Sequence, residues 1–234
     1  MRRQTSEWPI VMSSNPQSFI SEAYRLLRTN VEFAGFEKKN KSILITSSQP
    51  REGKTTTAVN VAIAFAQSGK RVVLVDADLR KPVIHEIFNK HNRGGLSNII
   101  AGQNTVAELL QETPFENLSL ITSGPIPPNP SEMLASQAMT ELIADLEESF
   151  DMVIIDGAPV LAVSDAQIVA AKVNGVILVA QSGVVKKQKL VKAKACLDHV
   201  KANVIGTVLN HVKVKSLYDS YHFANGSKEA GALS

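Results

Sequence analysis

Gly53-Lys54-Thr55 is the chemically most informative triplet in the chain. It ends a loop that follows a short Ile- and Leu-rich run and precedes a segment of helical period; residues 42–57 read SILITSSQPREGKTTT. Strand, loop, helix is the context in which a phosphate-binding loop works: glycine allows close backbone approach, and N–H groups at the helix start supply partial positive charge. In that reading Lys54 reaches the β- and γ-phosphates of a nucleotide, and the Thr55 hydroxyl ligates Mg²⁺. The expected nucleotide contacts are Gln49, Arg51, Glu52, Gly53, Lys54, Thr55 and Thr56. Ser48 stands where the pattern G-x-x-x-x-G-K-[ST] places its first glycine, and a small serine still permits the turn.

Acidic residues end other apolar runs. MVIID closes on Asp156, and RVVLVD closes on Asp76, with Asp78 two positions further. A magnesium nucleotide needs carboxylates for the metal and its water, and a hydroxyl nucleophile benefits from a carboxylate that accepts its proton. Asp156 suits the metal or its water; of Asp76 and Asp78, one carboxylate can approach the metal shell while the other faces the attacking group. Lys54, Asp76, Asp78 and Asp156 are therefore the catalytic candidates, with Thr55, Asp76 and Asp156 as the metal set.

These residues need a frame that brings strand ends together. Apolar runs at 42–47, 71–76, 118–123, 152–156, 176–180 and 204–209 alternate with helical stretches. The pattern predicts an α/β fold with a doubly wound, mainly parallel sheet flanked by helices, as in P-loop NTPases. Ligands in such sheets bind beyond the carboxyl ends of the strands, where Asp76 and Asp156 fall. Residues 1–17, interrupted by Pro9 and Pro16, read as an extended arm. A helix follows over 18–36, with Phe19, Ala23, Leu26, Leu27, Val31 and Ala34 as its apolar face and Glu22, Arg25 and Arg28 as a charged stripe. Ser131 is the expected N-cap of a helix running to about 149. Residues 213–234 turn polar and read as a mobile tail carrying Tyr218 and Tyr221.

The bulk numbers agree with one globular domain: 234 residues, 44% apolar and 20% charged. A net charge of +3 is too small to argue for nucleic acid, and none is expected as partner. The single cysteine, Cys196, excludes an internal disulfide. No apolar stretch approaches the roughly 20 residues that span a bilayer, so the chain reads as cytoplasmic.

VVLVDADLRKP, with Asp76, Asp78, Arg80 and Pro82, resembles the second aspartate motif of bacterial tyrosine kinases, a branch of the MinD/ParA-like class of P-loop ATPases. The resemblance extends to EAYRLLRTN, which matches E-x-x-R-x-x-R, and to SGPIPPNPSEML, DMVIIDGAPV with the following SDA, and GTVLNHVK. It implies a Mg-ATP-dependent protein-tyrosine kinase that autophosphorylates tail tyrosines, here Tyr218 and Tyr221, and that regulates capsular or exopolysaccharide synthesis. It also implies a homo-oligomeric ring joined through Glu22, Arg25 and Arg28, and a membrane-bound activator that recruits the kinase to the inner face of the membrane. Protein substrates phosphorylated on tyrosine and an opposing tyrosine phosphatase complete the implied partners. Asn210 resembles the family's adenine-side position. The competing reading is a MinD/ParA-like ATPase switch without kinase activity, against which the signature lysine near the start of that group's phosphate loop is missing.

Overall fold

The computed structural model describes residues 10–34 and 41–212. The tail expected over 213–234, with Tyr218 and Tyr221, lies outside the described residues, as do the first part of the arm and the end of the predicted 18–36 helix.

Strands buried on both faces build the centre. Strands β1 (Ser42–Ser47), β2 (Val72–Asp76), β3 (Gln111–Glu112), β4 (Leu118–Ile121), β5 (Met152–Asp156), β6 (Gly175–Gln181) and β7 (Val204–Asn210) form one sheet in the order β3-β4-β2-β5-β1-β6-β7. All neighbours are parallel except β3, which runs antiparallel to β4. Side chains alternate across the pleat. Ile43, Ile45, Val72 and Leu74 point into one core, whereas Leu44, Val73 and Val75 point into the other. Both faces of the central strands are buried, which explains their continuous apolar runs.

The helices are α1 (Val11–Ser14), α2 (Phe19–Phe33), α3 (Lys54–Ala66), α4 (Ile84–Ile87), α5 (Leu96–Ile100), α6 (Val106–Leu109), α7 (Pro130–Ala135), α8 (Gln137–Ser149), α9 (Asp165–Ala170) and α10 (Lys187–His199). The first core is covered by α1, α2 and α3, through Met12, Tyr24, Val31 and Phe65. The second is covered by α5, α8, α9 and α10, through Leu96, Leu142, Val169 and Leu197.

Several expectations need correction. The arm is not extended at residues 11–14: α1 forms there, and Met12 is fully buried, its N–H donating to Asn60 Oδ1 on α3 at 3.1 Å. On α2 the inward stripe is Ser21, Tyr24 and Val31, with Leu27 packed beside them. Phe19 and Leu26 are exposed instead. The helix has two apolar stripes, and only one can meet α3. Ser131 does not cap its helix. Asn129 holds the cap position, Pro130 opens α7, and the single helix predicted to residue 149 is broken at Ser136, whose hydroxyl caps α8 by accepting from Met139 N. Neither α5 nor the two-residue β3 is foreshadowed by periodicity, since both are too short to show one.

Candidate active site

The phosphate loop owes its shape to two left-handed residues and one buried carboxylate. Gly53 has φ +93° and Arg51 has φ +68°. The first is easy for glycine; the second puts a large side chain in a region that glycine favours. Arg51 is exposed at the rim. Glu52 turns its side chain beneath the loop and is only 2% exposed. Its carboxylate accepts from Ser48 N at 3.1 Å, Ser48 Oγ at 2.7 Å and Gln49 N at 3.1 Å. The serine that replaces the first glycine is thus an anchor for Glu52. Local sequence gives no sign of this, because the bond depends on how the turn closes.

At the start of α3 the charged groups converge. Lys54 Nζ lies 3.0 Å from Asp78 Oδ2 and 3.5 Å from Asp156 Oδ1. Thr55 Oγ1 donates to Asp156 Oδ2 at 2.7 Å. Asp76 and Asp156 are register partners at the ends of β2 and β5. Asp76 accepts from Val83 N at 3.2 Å and Ile84 N at 3.1 Å through Oδ2, and from Asp78 N at 3.3 Å through Oδ1. It therefore holds the turn that carries Asp78 as well as standing beside Asp156. Lys54, Thr55, Asp76, Asp78 and Asp156 are all buried.

Burial among like charges dominates the electrostatics. Burial, reinforced by the Asp156 carboxylate, pushes Asp76 up to about 8. Burial also raises Asp156, against the pull of Lys54. For Lys54 burial works downward, but Asp156 and Asp78 outweigh it and raise the ammonium. The cluster is arranged for an added dication and phosphate.

A cavity of about 580 Å³ opens above this cluster. The phosphate-loop side is Pro50, Arg51 and Gly53–Thr56; Asp78, Arg80, Lys81 and Val83 come from the turn after β2; Ala158, Pro159, Ala162 and Val163 form an apolar wall after β5; His211 lies at the rim. The sequence-predicted Arg51, Gly53, Lys54, Thr55, Thr56 and Asp78 thus line one space. The Gln49 and Glu52 side chains do not line it: Glu52 is committed beneath the loop. Asn210 does not line it either. Its Nδ2 donates to Glu52 O at 3.1 Å, so it braces the phosphate loop from behind. Glu22, Arg25 and Arg28 sit on α2, away from the cavity. Arg25 pairs with Glu22 at 2.9 Å, and Arg28 turns inward to donate to Ala64 O at 3.3 Å.

The donor set fits Mg²⁺ with a nucleotide better than a protein-only metal cage. Among the described residues no three acidic, histidine or cysteine side chains group as a cage. Mg²⁺ characteristically takes one or two carboxylates and completes its shell with phosphate and water. Thr55 and Asp156, already in contact, suit that role.

Known proteins decide the family. Residues 40–204 match the AAA domain family. Over 205 residues the chain is 43% identical to tyrosine-protein kinase YwqD of Bacillus subtilis, covering 88% of this chain and 86% of that one. Over 222 residues it is 36% identical to the putative tyrosine-protein kinase CapB of Staphylococcus aureus, covering 95% and 97%. The chain belongs to the bacterial tyrosine kinases of the P-loop class.

Solved structures of this kinase family superpose closely. The kinase domain of Escherichia coli tyrosine kinase ETK gives a TM-score of 0.85 at 36% identity, covering 87% of this chain and 80% of that one. The chimerical protein CapA2B2 gives 0.83 at 39%, covering 87% and 89%. The septum site-determining protein MinD of Pyrococcus horikoshii, complexed with Mg-ADP, gives 0.62 at 22% identity, covering 72% and 69%. That last likeness shows the shared fold. The α/β P-loop architecture expected from the sequence is therefore present, and nucleotide binding goes with the family. Among the described residues no helix is long and apolar enough to cross a membrane.

Sequence patterns assign no role to Arg80 or Asp165, and they suggest a helix cap at Ser131, where the structure has Asn129 instead. Arg80, Asp165 and Ser131 form a hydrogen-bonded trio at the cavity mouth. The strings around them are visible in the sequence, but their contacts join residues far apart in the chain.

Proposed function

We propose that this chain transfers the γ-phosphoryl group of Mg-ATP to tyrosine, including Tyr218 and Tyr221 of its own tail. The observation that carries the reading is the convergence of Lys54, Thr55, Asp76, Asp78 and Asp156, of which Lys54, Thr55 and Asp78 line one cavity. Gly53 and the N–H groups opening α3 receive the phosphates. Mg²⁺, when bound by Thr55 and Asp156 with Asp76 beside them, supplies neutralisation of phosphate charge. Lys54 exchanges its Asp78 contact for the β- and γ-phosphates. Asp78 is then free to accept the tyrosine hydroxyl proton as the phenolic oxygen bonds to phosphorus and the bond to the β-phosphate oxygen breaks.

Transfer occurs between subunits of a ring. The exposed Phe19 and Leu26 beside Glu22 and Arg25 on α2 support a protein contact there. Glu22 is the outward member of the charged stripe, with 71% of its side chain exposed. Arg28 contributes by shaping the helix against α3. A membrane-bound activator recruits the ring to the membrane, and the kinase regulates capsular or exopolysaccharide synthesis. An opposing phosphatase resets it, and other protein substrates receive phosphate on tyrosine.

The test is labelling with γ-labelled ATP and Mg²⁺, with and without the cytoplasmic segment of a cognate activator, followed by phosphosite mapping. Label on Tyr218 or Tyr221 that disappears in Lys54→Met and after deletion of residues 213–234 supports the kinase. Steady ATP hydrolysis without label, even with activator, would establish the ATPase switch instead.

A further inference from the structure

The turn presenting Asp78 and the loop forming the apolar cavity wall are joined by one side chain. Arg80 Nε donates to Asp165 Oδ2 at 2.8 Å, and its Nη2 donates to Asp165 Oδ1 at 3.0 Å, across 85 positions of sequence. The same Nη2 donates to Ser131 Oγ at 2.9 Å, and the Ser131 hydroxyl donates to Asp165 Oδ1 at 2.8 Å. Ser164 Oγ adds a longer contact to Ser131 Oγ at 3.4 Å. Three segments, following β2, β4 and β5, thus meet at one buried carboxylate.

The geometry is asymmetric. The Asp165 side chain is 1% exposed, whereas that of Arg80 is 39% exposed and also borders the cavity. Asp165 begins α9, directly after the loop that supplies Ala158, Pro159, Ala162 and Val163. Arg80 lies two residues from Asp78, whose Oδ1 accepts from Lys81 N at 3.1 Å within the same tight turn. A bidentate guanidinium–carboxylate pair fixes orientation as well as distance. It therefore sets how far Asp78 stands from the apolar wall. That wall offers apolar surface of the kind an aromatic ring packs against.

We infer that Arg80, Asp165 and Ser131 are positioning residues for the acceptor tyrosine, holding Asp78 and the Ala158–Val163 wall at the spacing one phenol ring requires. This rests on the kinase reading above. It assigns the acceptor side of the cavity, as distinct from the phosphate side held by the Gly53 loop. A half-open ion pair is weak as a stabiliser, since desolvation and side-chain ordering offset its attraction. Positioning is the effect that a bidentate link between two separate segments delivers.

The experiment uses the full chain under conditions where it labels itself, with the Lys54→Met chain as the varied acceptor. Arg80→Lys and Asp165→Asn each break the bidentate geometry, and transfer to the acceptor chain falls by about tenfold to a hundredfold, as misplacement by an ångström does. Ser131→Ala removes the hydroxyl's bonds with Arg80 and Asp165 while leaving that pair in place, and costs about threefold. Affinity for a fluorescent ATP analogue stays within about twofold throughout, which separates acceptor positioning from ground-state nucleotide binding. The paired Arg80→Met/Asp165→Leu variant removes the uncompensated charge and recovers the melting temperature lost in the single variants, but not the transfer. Transfer that recovers with stability, or nucleotide affinity that falls in step with transfer, overturns the proposal. An unaltered chain that never labels the acceptor removes the kinase reading itself, and this inference with it.

Discussion

The carboxamide of Asn210 stands where a side chain on Gly53 would have to go. A Cβ built on Gly53 falls 1.8 Å from Asn210 Nδ2, which donates to Glu52 O. The end of β7 is thus pressed against the back of the phosphate loop, and the fit requires glycine for space as well as for its φ of +93°. The family resemblance implies an adenine-side position for Asn210; the contact observed is with the loop backbone.

Gly53→Ala therefore carries two penalties, a left-handed alanine costing about 1 kcal/mol and displacement of Asn210 from Glu52. Nucleotide binding is expected to be lost, with the fold retained. Isothermal titration with ATP and Mg²⁺ beside a thermal melt reads both. Adding Asn210→Gly relieves the steric part, and partial recovery of binding identifies it.

Arg51 occupies a left-handed position at φ +68° with an exposed side chain. Arg51→Gly is expected to stabilise the nucleotide-free protein by up to about 1 kcal/mol, less the entropy that glycine brings to the unfolded chain. Because Arg51 also lines the cavity, the same variant is expected to bind ATP several-fold more weakly, by loss of about 1 kcal/mol of phosphate attraction. Unchanged affinity assigns the guanidinium to solvent.

Asp76 sets a pH dependence. Its carboxyl is ordinarily near 3.8 and is held up to about 8 by burial and then by Asp156. Between those values the folded protein keeps a proton that the unfolded chain has released, so stability present at low pH is lost as pH rises toward 8. Asp156 is raised as well and adds to the same slope. Asp76→Asn is expected to flatten the fall in unfolding free energy between about pH 5 and 8 by a few kcal/mol, on the order of what such a shift implies, while abolishing phosphoryl transfer. Urea titrations across that range, without nucleotide, measure it.

Met12 is fully buried although only a four-residue helix carries it. Met12→Ala is expected to cost about 2–4 kcal/mol, as for other buried large-to-small changes. Its N–H bond to Asn60 is a backbone contact and survives the substitution. Urea unfolding of the variant against the unaltered chain tests whether residues 11–14 are part of the folded core.

By itself the sequence determined the phosphate loop at Gly53–Thr55, the acids Asp76, Asp78 and Asp156, and the alternation of strands with helices. Each is a local pattern: an apolar run ending in aspartate, or a glycine between a strand and a helix. Tertiary structure decided the rest. Asp76 and Asp156 become neighbours because β5 pairs directly with β2. Tyr24 rather than Phe19 faces inward because α3 meets only one stripe of α2. Glu52 looks like a nucleotide contact by position, yet its side chain is spent on Ser48 and Gln49 once the turn closes. Ser131 looks like a helix cap and is instead held by Arg80 and Asp165. Pairings across tens of residues leave no periodic trace along the chain, and only folding brings their partners within hydrogen-bond reach.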